Sequence, residues 1–264
     1  MTAALKIATD ALLEVRSVTV RFGGIVALDN ISFTVAEGQI AGLIGPNGAG
    51  KTTAFNVLSR LHKPSEGAVR FAGRSLLALG AHQIAGAGIG RTFQNLALFR
   101  SMSVLDNVIV GAHARGKSGF LGNAFRASLG RREERELSET ARAMLTFVGL
   151  DHLAERPIAS LPFGTQKRVE LARALASKPR LLLLDEPAGG LNHEEVAELS
   201  GLVRRVRDGL GITVLLVEHH MAFVMGISDK VVALDFGRVI AEGPPAEVRC
   251  DERVIRAYLG KTEG

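Results

Sequence analysis

GPNGAGKTT, running from Gly45 to Thr53, satisfies the pattern G-x-x-x-x-G-K-[ST] and decides how the rest of the chain is read. It follows QIAGLIG (Gln39 to Gly45), a short and nearly uninterrupted apolar run of the kind that forms a central parallel strand buried on both faces. It precedes KTTAFNVLSRL (Lys51 to Leu61), a helical stretch. Glycines at 45, 48 and 50 let successive backbone N–H groups turn inward around a phosphate, helped by the positive end of the following helix. Pro46, Asn47 and Ala49 complete the loop, and Thr53 closes it. The Lys51 ammonium suits phosphate oxygens, and the Thr52 hydroxyl suits Mg²⁺. A glycine-rich turn with an incidental lysine would need neither flank.

Outward from this loop the strand-and-helix rhythm continues. LLLLD (Leu181 to Asp185), TVLLV (Thr213 to Val217) and VVALD (Val231 to Asp235) are buried-strand runs, the first two each preceded by a helix-length segment. The fold class is therefore α/β, a phosphate-loop fold with a central, mostly parallel sheet. Ahead of the loop, LEVRSVTVRF (Leu13 to Phe22) and ISFTV (Ile31 to Val35) alternate apolar with polar, and are read as antiparallel strands with Gly23-Gly24 and Asp29-Asn30 as turn residues. Between residues 95 and 164 the buried-strand runs stop, while Leu137, Ala141, Met144, Leu145 and Val148 recur at helical spacing. A helical insert subdomain is expected there, entered through a basic, glycine-rich connection from Arg115 to Arg132. The expected organisation is a tail over 1–10 and one domain over 11–260. Its core and antiparallel β-subdomain come from 11–94 and 165–245, with a C-terminal helix at 246–260.

Composition narrows the function. With 264 residues, 47% hydrophobic and 22% charged, the chain can bury a large core, which excludes disorder. Cys250 has no second cysteine to pair with, as befits a reducing compartment. The net charge of +5 admits nucleic acid, a membrane surface or an anionic ligand. Aromatic residues make up only 5%, with no tryptophan, so stacking on single strands is poorly supplied and no nucleic acid is expected. Lys6 and Asp10 interrupt the first apolar stretch, and no later run reaches the ~18 uncharged residues that span a bilayer; neither spanning nor secretion is expected.

A phosphate loop does not separate kinases, GTPases and ATPases; a second acidic site does. Asp185, at the end of LLLLD, suits a Mg²⁺ ligand, and the adjacent Glu186 suits a general base for an attacking water. No guanine-reading N-K-x-D tetrad occurs, which counts against a GTPase. Gln94 in GIGRTFQN, Asn192 in GGLN and His219 in TVLLVEHH fall at the ends of strand-like runs, each unremarkable alone.

In this order, and with the turn LPFGTQKR opening the helical run VELARALAS, these residues resemble the nucleotide-binding subunits of ATP-binding cassette transporters from Leu13 to Gly260. The resemblance implies that Phe22 stacks on adenine, Gly45 to Thr53 hold the phosphates, and Gln94 senses Mg²⁺ and the membrane subunit. It implies that Leu161, Pro162, Phe163, Gly164 and Thr165 form the signature and Asp185 and Glu186 the metal and base carboxylates. Asn192 ends a dimer-contact loop, and His219 is the switch histidine on the γ-phosphate. RTFQNLALFRSMSVLDNV, EPAGGLN, VEHHM and the terminal VIRAYLG resemble the branched-chain amino-acid importers more narrowly, a pattern that urea and short-amide importers share. One departure stands out: the family's L-S-G-G-Q is Leu161-Pro162-Phe163-Gly164-Thr165 here, so a proline replaces the serine hydroxyl.

The resemblance implies an ATPase that uses ATP and Mg²⁺ and pairs with a second cassette subunit, identical or heterologous. It would drive two membrane permeases from the cytoplasmic face of the inner membrane, served indirectly by an extracytoplasmic solute-binding protein. Two other functions compete. A soluble cassette ATPase acting on nucleic acid or ribosomes fits the basic charge but not the single cassette without coiled-coil heptads. A small-molecule kinase leaves the signature helix, Gln94 and His219 unexplained.

Overall fold

Strands β1 (Ala11–Phe22) and β2 (Ile25–Ala36) form a hairpin, and β3 (Ile40–Ile44) leads into the glycine loop and helix α1 (Lys51–Leu58). The structure is a computed structural model describing residues 11–93, 96–113 and 127–259; the expected tails and the connection up to residue 126 lie outside that set. The hairpin turns at Gly23-Gly24 only. Asp29-Asn30, expected as turn residues, lie inside β2, where the register slips between the pairs Val20 with Leu28 and Val18 with Ile31. Asn30 takes up the slip at φ 52, a conformation asparagine tolerates, and its N–H donates to Thr19 Oγ1 at 3.1 Å. Strands β4 (Glu66–Phe71) and β5 (Arg74–Ser75) complete an antiparallel sheet of order β2-β1-β4-β5.

Helix α2 (Ile84–Ala87) and strand β6 (Ile89–Arg91) return the chain to the main sheet, after which α3 (Val104–His113), α4 (Ala127–Phe147) and α5 (Phe163–Ala176) follow. The rest alternates: β7 (Leu181–Asp185), α6 (His193–Leu210), β8 (Thr213–Val217), α7 (Met221–Ile227), β9 (Lys230–Asp235), β10 (Arg238–Gly243). The expected single C-terminal helix is two pieces, α8 (Pro245–Val248) and α9 (Glu252–Leu259), because Asp251 breaks the run and accepts from the Arg253 N–H at 2.8 Å.

The main sheet has the order β10-β9-β3-β8-β7-β6, parallel throughout except for the edge strand β10. Every residue of β3, β7 and β8 is buried, so alternate side chains feed two cores. Ile40, Ile44, Leu182, Leu184, Val214 and Leu216 join the core shared with α3 to α7, whereas Leu43, Leu183, Leu215 and Val217 join that of α1 and the antiparallel sheet.

Helices α3, α4 and α5 pack on one another. Ala141, Leu145 and Val148 are fully buried in this unit, while Leu137 and Met144 pack at its edge. Helix α4 starts at Ala127, inside the stretch expected to be a connection, and runs through Gly130 without breaking. Helix α5 begins at Phe163, so the expected boundary at 164/165 falls within it. Where α3 crosses α5, a Cβ on Gly111 would lie 2.0 Å from the Arg173 carbonyl oxygen. Gly111→Ala is expected to pry the two helices apart and cost about 1–3 kcal/mol, the range for overpacked sites, measurable by urea denaturation.

Candidate functional site

The loop after β3, the acidic pair at β7, the histidines after β8 and the turn after β9 all gather at the carboxyl ends of parallel strands. This is the edge where open α/β sheets hold ligands. A cleft of about 420 Å³ opens there, lined by Asn47 to Thr53, by Ile25, Val26 and Ala27 of β2, and by Glu186 and Phe236.

The three glycines of the loop have different duties. A Cβ at Gly45 would sit 2.2 Å from the Leu234 carbonyl oxygen and one at Gly50 2.7 Å from that of Ala27, so these two let the loop press against β9 and β2. Gly48, at φ 83, has no neighbour within 4 Å of such a Cβ and faces open space. Lys51 is buried, and its Nζ donates to the carbonyl oxygens of Gly45 at 2.7 Å and Pro46 at 3.0 Å. The ammonium thus holds the loop's first turn closed, together with the Ala49 N–H, which donates to the Pro46 carbonyl at 3.1 Å. Gly50 precedes α1 with no side-chain cap, which leaves the positive end of the helix to the cleft.

Asp185 is buried at the end of β7, where its Oδ2 accepts from Arg91 at 2.8 Å. Arg91 also donates to Asn56 Oδ1 and Ser59 Oγ of α1, with its guanidinium over the rings of Phe55 and Phe93. Glu186 lines the cleft at φ 48, a conformation a glutamate rarely adopts. Three contacts hold it there. Its N–H donates to the Val217 carbonyl at 2.9 Å, while its own carbonyl accepts from Gly189 N–H at 3.1 Å and Lys167 Nζ at 3.0 Å. Burial pushes the Lys167 pKa down, opposed by the carboxylates of Glu170, Glu218 and Glu186.

Glu218 is the fully buried charge behind this loop. Its Oε1 accepts from the Ala188 N–H at 2.7 Å, and its Oε2 from the N–H groups of His219 and His220 at 3.0 and 3.2 Å. One carboxylate therefore ties the segment after Glu186 to the segment that carries His219. The His219 ring itself is exposed, 3.9 Å from Glu218.

The remaining residues singled out from the sequence stand apart. Phe22 is not among the residues lining the cleft; it packs edge-on against His62, with ring centroids 5.1 Å apart. Gln94 lies outside the described residues. The chain on either side of it is held by α5: Glu170 Oε1 accepts from the Phe93 N–H at 3.1 Å, and Arg173 donates to the Ala97 carbonyl. Burial pushes the Glu170 carboxyl up and the Arg173 guanidinium down, each opposed by the other's charge. Leu161 is buried, Pro162 occupies the N-cap of α5 without a side-chain cap, and Phe163 rests on Gly190, whose added Cβ would come within 2.9 Å of its ring. Gly164 and Thr165 line a second cavity with Lys167, Leu191 and Glu195. Asn192 caps α6: its Oδ1 accepts from the Glu195 N–H, and Glu195 accepts from the Asn192 N–H, both at 2.9 Å.

Arg91, Lys167, Glu170, Arg173 and Glu218 escaped the sequence reading. Only Glu218 carried a signal there, a charge placed directly after the buried run Thr213 to Val217. The others sit at ordinary positions of a short strand or a helix, where pattern does not separate a solvated charge from a bridging one.

Two family models match the chain, one described as ABC transporter over residues 28–189 and one as branched-chain amino acid ATP-binding cassette transporter over residues 238–263. The chain is 42% identical over 250 residues to the high-affinity branched-chain amino acid transport ATP-binding protein BraF of Pseudomonas aeruginosa, covering 95% of this chain and 98% of that protein. The crystal structure of a nucleotide-free ATP-binding cassette from an ABC transporter superposes with a TM-score of 0.83 at 31% identity, covering 95% and 99% of the two chains. A dimeric cassette in a post-hydrolysis state, bound to ADP and Pi, gives a TM-score of 0.74 at 26% identity, covering 88% of this chain and 98% of that one.

Glu218→Ala leaves the buried Ala188 N–H and the part-buried His219 and His220 N–H groups without their acceptor. A buried donor left unsatisfied costs about 1–3 kcal/mol, and the variant is expected to lose stability in that range, with faster amide hydrogen exchange at Ala188, His219 and His220. Unchanged exchange at those amides would contradict the tie.

Proposed function

Because the chain belongs to the ABC transporter family of ATP-binding cassettes and hydrolyses ATP, we propose that it powers an importer of branched-chain amino acids. The observation that carries the chemistry is a single cleft lined by both the Asn47 to Thr53 loop and Glu186. The importer class is supported by the likeness to BraF along nearly the whole chain and by the match at residues 238–263.

The phosphates of ATP are held by the backbone N–H groups of the loop and the uncapped start of α1, with Lys51 moving from loop carbonyls to phosphate oxygens. The hydroxyl of Thr52 and the carboxylate of Asp185, with Gln94, are the hard oxygen donors for Mg²⁺. When bound, the ion supplies charge neutralisation at the phosphates. Glu186 accepts a proton from the attacking water, its backbone fixed by Val217, Gly189 and Lys167. His219 acts at the terminal phosphate, and Phe22 belongs to the adenine side of the site.

The start of α5, Leu161 to Thr165, completes the site of a second cassette subunit, with the Gly189 to Asn192 loop packed beside it. Pro162 offers no hydroxyl, so the contribution of this signature rests on the backbone N–H groups of Phe163 to Thr165 and the helix dipole. One of the two permeases docks in the apolar groove where Leu61, Phe93, Phe99 and Val110 are exposed. Among the described residues no helix is long and apolar enough to cross a membrane, in keeping with a subunit carried on the cytoplasmic face by its permeases.

Glu186→Gln keeps shape and ATP binding but cannot take the proton; hydrolysis is expected to fall by ~10²–10⁴-fold, with an ATP-dependent dimer accumulating in size-exclusion chromatography. Normal turnover would remove Glu186 from the role of base. Lys51→Ala is expected to weaken ATP binding itself. Pro162→Ser supplies the missing hydroxyl and is expected to raise the hydrolysis rate of the assembled dimer. Uptake of radiolabelled leucine by vesicles holding the full complex, abolished by Glu186→Gln, tests the substrate class.

A further inference from the structure

The β9–β10 hairpin turns on Phe236 at φ 43 and Gly237 at φ 77, the two left-handed residues of a type I′ turn. Asparagine, aspartate or glycine suits the first of these positions, because a side chain with a bulky Cβ substituent is strained there. Phe236 is nonetheless a large apolar residue, and it is 77% exposed. Local conformation does not favour it, and it lies outside the buried core. A strained, solvated aromatic points to a function outside the fold.

Its surroundings identify the ligand. Phe236 lines the same cleft as the phosphate loop, next to Ile25 and Val26, which are also exposed. The lining of the cleft therefore joins the polar Gly48 to Thr53 loop to three large apolar side chains, Ile25, Val26 and Phe236. A nucleotide has that distribution of polarity, phosphates at one end and a base and sugar at the other. The turn is also rigidly mounted. The Gly237 N–H donates to the Ala49 carbonyl at 3.1 Å, and the Gly237 carbonyl accepts from the Asp29 N–H at 2.8 Å. A Cβ on Gly237 would lie 2.7 Å from the Ala27 carbonyl oxygen, so the turn is pressed onto both the loop and β2.

We propose that Phe236 is a nucleoside-binding residue, its ring packing on the purine nucleoside of the nucleotide whose phosphates the Gly45 to Thr53 loop holds. The proposal rests on the cleft being the nucleotide site. Base-to-aromatic stacking of this kind changes affinity by about five- to a hundredfold.

Phe236→Asn separates function from structure because the two effects have opposite signs. Asparagine relieves the turn, so the thermal midpoint of the full chain is expected to rise. The affinity for ATP, measured by calorimetry, is expected to fall by at least about fivefold, while that for inorganic tripolyphosphate stays unchanged and Phe236→Tyr retains ATP affinity. Unchanged ATP affinity would overturn the proposal, as would parallel losses for ATP and tripolyphosphate, which would mean that the turn only shapes the loop. An ATP-affinity loss confined to concentrations at which the chain self-associates would assign Phe236 to the subunit interface and overturn it too. Wild-type protein that binds neither ligand would instead remove the cleft from nucleotide binding altogether.

Discussion

Beyond the hydrogen bond from the Ala49 N–H to the Pro46 carbonyl at 3.1 Å, the Gly45 to Thr53 loop is fixed from behind. Here the fixing is done by the close approach of Gly45 to the Leu234 carbonyl, of Gly50 to the Ala27 carbonyl, and by the hydrogen bond from Gly237 to Ala49. Each contact belongs to a different strand, β9, β2 or the β9–β10 turn. The loop's shape is therefore set only when the antiparallel sheet and the parallel sheet are both in place. Lys51 adds the last restraint, bridging the first two carbonyls of the loop from inside.

The catalytic edge is organised by buried side-chain charges that reach from one element to another. Glu218 joins the turn after β7 to the segment after β8, and Arg91 joins β6, α1 and the end of β7. Lys167, Glu170 and Arg173 do the same from α5, which reaches the Glu186 carbonyl and both flanks of Gln94. Charges buried this far from water cost too much to leave unpaired, so each demands a definite partner and makes the arrangement discrete. Helix α5 is thereby more than the carrier of the signature. A displacement of the helical unit that contains it would be felt at Glu186 and at the Gln94 loop of the same subunit.

Local structure accounts for the residues that stand at Leu161 to Thr165. Pro162 sits at the N-cap of α5, where a missing N–H costs nothing, and Phe163 finds its partner in Gly190. Gly164 is held to glycine by the Glu195 carboxylate, 2.3 Å from an added Cβ, and Glu195 is in turn fixed by capping with Asn192. Leu161 to Thr165 and the loop ending at Asn192 form one packed unit within a single chain, so a substitution in either alters the surface that both present.

The amino-acid sequence alone determined the fold class and the succession of buried strands along the chain, and it singled out Gly45 to Thr53 and Asp185-Glu186 as the residues to look for at their ends. Those features are local: a run such as Leu181 to Asp185 can only be a strand buried on both faces, and the spacing of Gly45 to Thr52 dictates its own turn. Local pattern failed where a residue had a choice that only neighbours could make. Asp29-Asn30 carries a turn signal, yet pairing with β1 keeps it inside a strand; Ala127 to Arg132 carries charge and glycine, yet belongs to α4. The tertiary structure alone decided that Phe22 packs on His62 while Phe236 enters the cleft, and that Asp185 is held by Arg91 from another strand. The reason is distance along the chain. A contact between residues 91 and 185 exists only once parallel strands have been laid side by side, and no periodicity in either segment records its partner.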